Sequence, residues 1–415
     1  MNKEQSLFQW ERVQRFNLPV WTVLVGVLIA RTSFFMAWPF LVVFLYQDYG
    51  ASAIEVGSML AAASLLGSGV GLYSGYLSDK FGRKWLMVTG CVIAFFAYTG
   101  IGLADQMWQF YILVLMTGLM HPLIDSPAKA VLGDSLADHK DRELALNIRY
   151  FVLNIGGAIG PLLGVTLALA NPQGLFLVTG LTHLAYTLWI IFGIERKQSL
   201  RDKIKESSVL PNFRQTLKVI SQDKIFILLL VANLLLMFVY AQLESSVPQV
   251  IVRSGIADAA TLIAMLMFVN TATIVTLQFP LLKLMESFPL FTRTRIGMVA
   301  IAIGQLAFIV SPNDSAVGWA IACFIISVGE VITFPTINVQ IDRLAPSHLR
   351  GSYFGATGIY TLGFAIGPLV GGAMIEWLGS TWLFGLCFVV CIAMIWLYFA
   401  AEKVEDTVER EVALQ

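Results

Sequence analysis

Charge is scarce in this sequence. Asp, Glu, Lys and Arg make up 13% of its 415 residues, against about 25% in an ordinary soluble domain, and 57% of the chain is hydrophobic. A mean hydropathy of +0.75 excludes a soluble fold with one buried core and points to an integral membrane protein with many spans. Acidic and basic residues balance at 27 each, so there is no basic surface for nucleic acid and no nucleic-acid partner is expected. Cysteine is scarce too. Cys91, Cys323, Cys387 and Cys391 all lie in apolar runs, with neither metal-ligand spacing nor a disulfide framework, and read as small core side chains. There is no nucleotide-binding loop, metal cluster or nucleophile arrangement, so neither an enzyme nor a cofactor is expected. The glycine-rich 67-GSGVG-71 lies inside an apolar segment, where it reads as packing.

What is abundant is apolar length. A bilayer span needs about 20 mostly apolar residues. Twelve segments qualify, at about 18–46, 54–77, 84–103, 108–133, 143–170, 174–194, 225–250, 260–284, 294–311, 315–341, 351–378 and 380–401. The first 17 residues are polar and basic. The run after them is too long for a signal-peptide core and reads as the first span. Most connections are short. The exception is the charged 195-ERKQSLRDKIKESSVLPNFRQTLKVISQDK-224, which splits the spans six and six. The sequence therefore predicts an all-α membrane protein: a six-helix bundle over 1–194, a cytoplasmic linker over 195–224, and a second bundle with a short tail over 225–415.

The basic residues give an orientation. Of 27 lysines and arginines, Arg31, Lys129 and Arg149 fall inside spans and Arg253 falls between spans 7 and 8; all the others lie on the opposite side. By the positive-inside rule both termini and the linker are cytoplasmic. The halves also repeat one another. In 127-PAKAVLGDSLADHKDR-142 and 335-PTINVQIDRLAPSHLR-350, Pro, Val, Asp, Leu, Ala and Arg recur in register, and 156-GGAIGPLLG-164 is echoed by 363-GFAIGPLVG-371. Two repeated six-helix halves are a transporter architecture, with the substrate site between them.

The loop after span 2 reads 75-GYLSDKFGRKWLM-87. Gly75, Asp79, Lys80, Gly82, Arg83 and Lys84 match the signature loop of the major facilitator superfamily, which the whole chain resembles. Gly67, Gly71 and Gly75 give span 2 a smooth face, and Gly363, Gly367 and Gly371 do the same for span 11. The resemblance implies that these two helices face each other, with Asp79 near the N-terminus of span 11, where partial positive charge favours an anion. Asp79 is then expected to latch an outward-open state. Arg83 and Lys84 would hold lipid phosphates or nearby carboxylates, or act as plain positive-inside anchors. In span 5, Gly156, Gly160, Pro161 and Gly164 resemble the signature of the twelve-helix drug:proton antiporter branch, although an earlier glycine of that pattern is Asn147 here. Pro161 would bend the helix and the glycines would let it slide on a helix of the other half. Gly367 and Pro368 repeat the pattern in span 11.

Ionisable residues inside spans are functional candidates. They are Arg31 in span 1; His121, Asp125 and Lys129 in span 4, spaced to share one face; Arg149 in span 5; Glu244 in span 7; and Glu330 in span 10. The resemblance implies that spans 1, 4, 7 and 10 line the central cavity. Asp125 and Arg149 lie at similar depth and can pair, with Lys129 completing a charge cluster. Glu244 and Glu330 have no cation nearby in their own half, and a buried unpaired carboxylate can exchange a proton near neutral pH. With Asp125 they are the proton-coupling candidates. Phe35 and Trp38 share a face with Arg31, Tyr240 precedes Glu244 by one turn, and His121, Asn233, Gln242, Asn270 and Gln278 add polar groups. Such a lining suits amphipathic molecules, with Arg31 able to hold an anionic group.

Three readings stay open. The first is a proton-coupled exporter of small amphipathic, drug-like compounds. Against it, the arginine usual in span 4 of that branch is absent and Lys129 stands there instead. The second is a transporter of a defined anionic metabolite, such as an organic acid or siderophore. The third is a receptor or subunit on a transporter scaffold. The expected setting is a bacterial inner membrane. Protons, lipids and a small molecule are the expected partners, and a monomer the working unit.

Overall fold

The computed structural model describes residues 6–194, 212–254, 256, 258–312 and 315–413. Among them every regular element is helical, and twelve helices are long and apolar enough to cross a membrane. We number these spans 1 to 12 in chain order. Residues 195–211 of the linker lie outside the described residues; its end forms an amphipathic helix, Phe213–Gln222, whose Phe213 packs on Tyr73 and Tyr76 of span 2.

Polar residues punctuate the apolar runs. Asn17 caps span 1 (Leu18–Tyr49) just before Pro19, and Asn171 accepts from the Gly174 amide at the start of span 6 (Pro172–Gly193). Ser52 and Glu55 form a reciprocal capping box on span 2 (Ala53–Phe81). Between span 2 and span 3 (Arg83–Leu103) there is one residue, Gly82, at φ +102°, a conformation only glycine adopts without strain.

The chain forms two compact units. One comprises Gln9–Lys218 and Ala345–Gly358; the other comprises Val219–Leu344, Ile359–Gln415 and the start of the chain through Phe8. The same packing recurs inside each. In the first, span 1 packs on spans 5 and 6, span 3 on 4 and 6, and span 2 on 4; in the second, span 7 packs on 11 and 12 (Ser380–Ala413), span 9 (Leu290–Val310) on 10 and 12, and span 8 on 10.

Two expectations are corrected by this packing. The glycines of span 5 (His139–Ala170), expected to slide on a helix of the other half, pack on a helix of their own unit. A methyl on Gly160 would sit 2.6 Å from the Thr32 carbonyl oxygen, and one on Gly156 would sit 3.1 Å from Arg31 Cβ, so this stripe seats span 1 of its own unit. The stripe Gly363, Gly367, Gly371 likewise seats span 7 (Lys224–Arg253), with Gly367 beside Ala241 and its carbonyl accepting from Gln242 Nε2 at 3.0 Å. Gly67 faces Gly118 of span 4 (Met107–Ser135). The glycines that meet span 2 are Gly351, Gly355 and Gly358 instead: a methyl on Gly355 would lie 2.7 Å from the Gly71 carbonyl and 2.8 Å from Gly75 Cα.

Span 11 is also not one helix. A 3-10 turn Ser347–Leu349, an α-helix Arg350–Ala356, a second 3-10 turn Thr357–Ile359 and an α-helix Tyr360–Trp377 follow one another. Gly355 and Gly358 weaken the helix there, and the Thr357 hydroxyl donates to the Phe354 carbonyl at 2.7 Å. The two units divide at this break. Residues 345–358 therefore form a docking segment that packs on span 2.

Candidate functional site

Three sets of polar residues stand out. The first surrounds the signature loop. Asp79 is 9% exposed, and its carboxylate accepts from the Gly351 amide at 3.0 Å, the Ser352 amide at 2.7 Å and the Ser352 hydroxyl at 2.5 Å. These amides belong to the first turn of the docking segment's helix. They need Gly351, since a methyl there would lie 2.8 Å from Asp79 Oδ1 and 2.9 Å from the Gly75 carbonyl. Arg83 pairs with Asp79 and with Asp134 at 3.1 Å, and Asp134 accepts from Arg350 at 2.6 Å. Carboxylate and guanidinium alternate from span 2 through span 4 to the docking segment. Arg83 thus holds carboxylates, and Lys84 donates to the Ile191 carbonyl at the end of span 6. Sequence reasoning missed Gly351, Ser352, Asp134 and Arg350. The repeat did contain a signal, because Asp134 and Arg350 are among its recurring positions.

The second set lies within the spans of the same unit. Asp125 pairs with Arg149 of span 5 and with Lys129 at 2.9 Å, one turn along span 4. The Arg149 side chain is only 4% exposed, so this is a charge bridge between spans 4 and 5. His121, one turn before Asp125, is exposed and stands in the field of Asp125, Arg31, Lys129 and Arg149. Arg31 is half-buried, its guanidinium 4.3 Å from the centre of the Phe35 ring and 5.7 Å from that of Phe34. Phe34 stacks on Trp38 at 5.2 Å. The glycine stripe of span 5 shapes this group, since Gly157 leaves room for the Phe35 ring. Pro161 lies in the same stretch of helix. The charge cluster also reaches the docking segment: Lys129 Nζ lies 5.6 Å from the centre of the Phe354 ring.

The third set is in the other unit. Glu330 of span 10 (Ala316–Leu344) is 3% exposed and accepts from Asn270 of span 8 (Ala259–Leu284) at 2.7 Å; Asn270 also donates to Ser327 at 3.0 Å. Glu330 is therefore not an unpartnered carboxylate: a neutral amide holds it. Glu244 is exposed, so the burial expected to favour its protonated form is absent. Tyr240 packs edge-on against Phe334 of span 10 at 5.2 Å. Asn233 leaves the substrate-facing set, because it is 1% exposed and its amide bridges the hydroxyls of Tyr360 and Tyr398. Gln242 is buried too, bonded to the Phe238 and Gly367 carbonyls in front of Pro368, and Gln278 is fully buried. Gln305 was not singled out from the sequence, yet it lines the same interior as Glu330.

Comparison with known proteins agrees with this architecture. The Major Facilitator Superfamily profile matches residues 23–361. An uncharacterized MFS-type transporter, YqjV of Bacillus subtilis, is 30% identical over 361 residues, 87% of each chain. A Na+, Li+, K+/H+ antiporter of Planococcus maritimus is 25% identical, covering 90% of this chain and 93% of its own. The multidrug resistance protein MdtH of Shigella boydii is 24% identical, covering 90% and 88%. Among solved structures, the human organic anion transporter MFSD10 superimposes with a TM-score of 0.74 over 92% of this chain and 99% of its own, at 15% identity, a likeness of fold. Twelve spanning helices, a repeated pair of six-helix halves and the matched signature loop have one explanation: the chain is an integral multi-pass membrane protein and belongs to the major facilitator superfamily of transporters, which are not enzymes.

Proposed function

We propose that this transporter is a proton-coupled exporter of small amphipathic compounds, working by alternating access as a monomer in a bacterial inner membrane, with both termini cytoplasmic. The observation that carries the reading is the contrast between two carboxylates within the spans, half-buried Asp125 and buried Glu330. Asp125 is balanced by Arg149 and Lys129, so it takes up a proton only if that bridge parts. Glu330 is buried against a neutral amide, which suits a group that gains and loses a proton during the cycle. Glu244, exposed in the outer half of span 7, serves as the entry to that carboxylate. Arg31, Phe35, Trp38 and His121 of the first unit bind the cargo, with aromatic faces for its apolar parts, and Tyr240 is the substrate-binding candidate of the second unit. The names of the multidrug resistance relative and the cation/proton antiporter relative support export and antiport. Asp79, Arg83, Asp134 and Arg350 form the cytoplasmic latch, and release of residues 345–358 from span 2 opens the cytoplasmic side.

Counterflow in proteoliposomes with a compound library, at two imposed pH gradients, tests cargo, direction and coupling together. Accumulation that follows the gradient and inverts with it supports the reading; accumulation indifferent to pH ends it. A second reading has one observation behind it. Arg31 presents a guanidinium beside an aromatic ring, a combination that binds carboxylates. On that reading the cargo is an anionic metabolite, and organic acids rather than cationic dyes drive counterflow.

A further inference from the structure

Residues 6–12 are held at two places and exposed between them. A segment this near a terminus is usually poorly ordered unless something ties it down. Here Leu7 is 1% exposed and Arg12 6%, while Trp10 between them is 70% exposed. The chain passes from the second unit to the first between Phe8 and Gln9. On the second-unit side the dock is Glu286, in the connection between spans 8 and 9. Its carboxylate accepts from the Ser6 hydroxyl at 3.1 Å and from the Leu7 amide. Phe8 adds an edge-on contact with Phe279 of span 8, with ring centres 5.7 Å apart. Arg293, itself buried, fixes that connection by donating to the Glu286 carbonyl at 2.8 Å and to the Phe288 carbonyl at 2.9 Å. On the first-unit side, Arg12 pairs with Asp141, in the first turn of span 5, at 2.5 Å and with Asp138 at 3.4 Å.

In the short helix Trp10–Gln14 only Arg12 is buried, so the segment does not pack along its length. A helix of five residues has no stability of its own in water. A buried ion pair contributes little net stability, because both charges must be desolvated. Together the two anchors do something neither does alone: they make a link of fixed reach. From Phe8 to Arg12 is four residues, at most about 14 Å of fully extended chain. While both ends hold, the two docks cannot move apart freely. We propose that residues 6–12 are a strap that ties the second unit to the first and limits how far the cytoplasmic side opens. The proposal rests on the alternating-access reading above, with both termini cytoplasmic, and on neither its cargo nor its coupling ion. It is a restraint separate from the Asp79 latch, whose donors all belong to the first unit.

The test lengthens the strap without touching its anchors. Inserting Gly-Ser-Gly-Ser between Phe8 and Gln9 doubles its reach to about 28 Å; the same insertion between Gln9 and Trp10 serves if the first does not fold. Ala137 and Ser287 are exposed in the connections beside the two docks, and the four native cysteines are buried. Ala137→Cys and Ser287→Cys, spin-labelled in the full-length protein in proteoliposomes, report the distance between those connections by double electron–electron resonance. The insertion should raise the longer-distance share of the distribution at least threefold. Glu286→Ala, which frees the strap's second-unit end, should do the same. A shift with the insertion alone supports the strap with Leu7 and Phe8 as that anchor. A distribution unchanged by the insertion overturns the strap whatever Glu286→Ala does, because a dock that only stabilises its own unit is indifferent to strap length. The two readings separate cleanly. If transport follows the pH gradient and the distances ignore the insertion, the strap fails and proton coupling stands. If the insertion lengthens the distances and transport ignores pH, proton coupling fails and the strap stands.

Discussion

Replacing Asp79 by asparagine removes one negative charge and one acceptor oxygen from a carboxylate that holds three donors of the docking segment and the Arg83 guanidinium. Hydrogen bonds to a charged group contribute about 1.5–3 kcal/mol each. Asparagine keeps one oxygen, so part of that is retained, but its NH2 group then faces an N–H or O–H donor of Gly351 or Ser352. A net loss of about 2–3 kcal/mol follows, which shifts docked against released segment by roughly 30- to 150-fold. The assay is thiol labelling. All four native cysteines are buried, so background is low. Ala356, at 1% exposure on the docking segment, is a conservative place for a reporter. In inside-out vesicles, Ala356→Cys alone should react slowly with a membrane-impermeant maleimide, and Asp79→Asn in that background should speed the reaction at least tenfold. Ser352→Ala, which removes only the hydroxyl bond, should give a smaller increase. Rates within twofold of each other with and without Asp79→Asn would refute the latch.

Gly355→Ala places a methyl against the backbone of Gly71 and Gly75, at about 1–3 kcal/mol, and should speed labelling as Asp79→Asn does; Gly358→Ala, whose nearest neighbour is 3.6 Å away, should be almost silent in the same assay. Asp125→Asn leaves the buried Arg149 without its carboxylate and should lower stability by about 3–5 kcal/mol, read as a drop in melting temperature; an unchanged melt would mean that the bridge is not structural. Arg31→Ala should raise the KM for cargo at least tenfold, and Arg31→Lys should recover little of it, because an ammonium cannot stack or bind bidentately as a guanidinium does; normal KM in both would show that Arg31 is no anchor. Glu330→Gln should abolish gradient-driven transport while sparing counterflow, and full retention of gradient dependence would move the coupling site elsewhere.

The spans were legible because lipid imposes a length and a composition that few other structures meet. The turn at Gly82 was legible because its positive φ demands one residue type. The charged residues of span 4 were legible as a face, since a spacing of four fixes direction on a helix. What could not be read was the identity of partners. Gly156, Gly160 and Gly164 announce that something approaches closely, and nothing in their spacing says that it is span 1 of their own half. Asn233 and Asn270 are the same residue type in similar apolar runs, yet one is sealed between two tyrosines and the other holds Glu330. The break at Thr357–Ile359 is invisible to hydropathy, because a 3-10 turn and an α-helix are equally apolar.

These partners bear on how cargo and gate communicate. Residues 345–358 are held to the first unit by more than Asp79. Arg350 reaches Asp134 of span 4, and Phe354 lies beside Lys129, five residues before Asp134 on the same helix. Lys129 in turn is paired with Asp125, whose other partner is Arg149. A change at Asp125, whether protonation or the arrival of a charged cargo, therefore alters the counter-ion of the ammonium that faces Phe354. A cation–π contact weakens as its ammonium is drawn elsewhere, at about 0.5–2 kcal/mol. That is smaller than the Asp79 contribution but enough to bias a latch whose two states lie close in energy. Lys129→Met separates the possibilities. It keeps the packing on Phe354 and removes the charge. If the route runs through Lys129, Ala356→Cys labelling in the Lys129→Met background should no longer respond to cargo, while Asp79→Asn still accelerates it. If cargo still changes the labelling rate by the wild-type factor, the signal travels by another path.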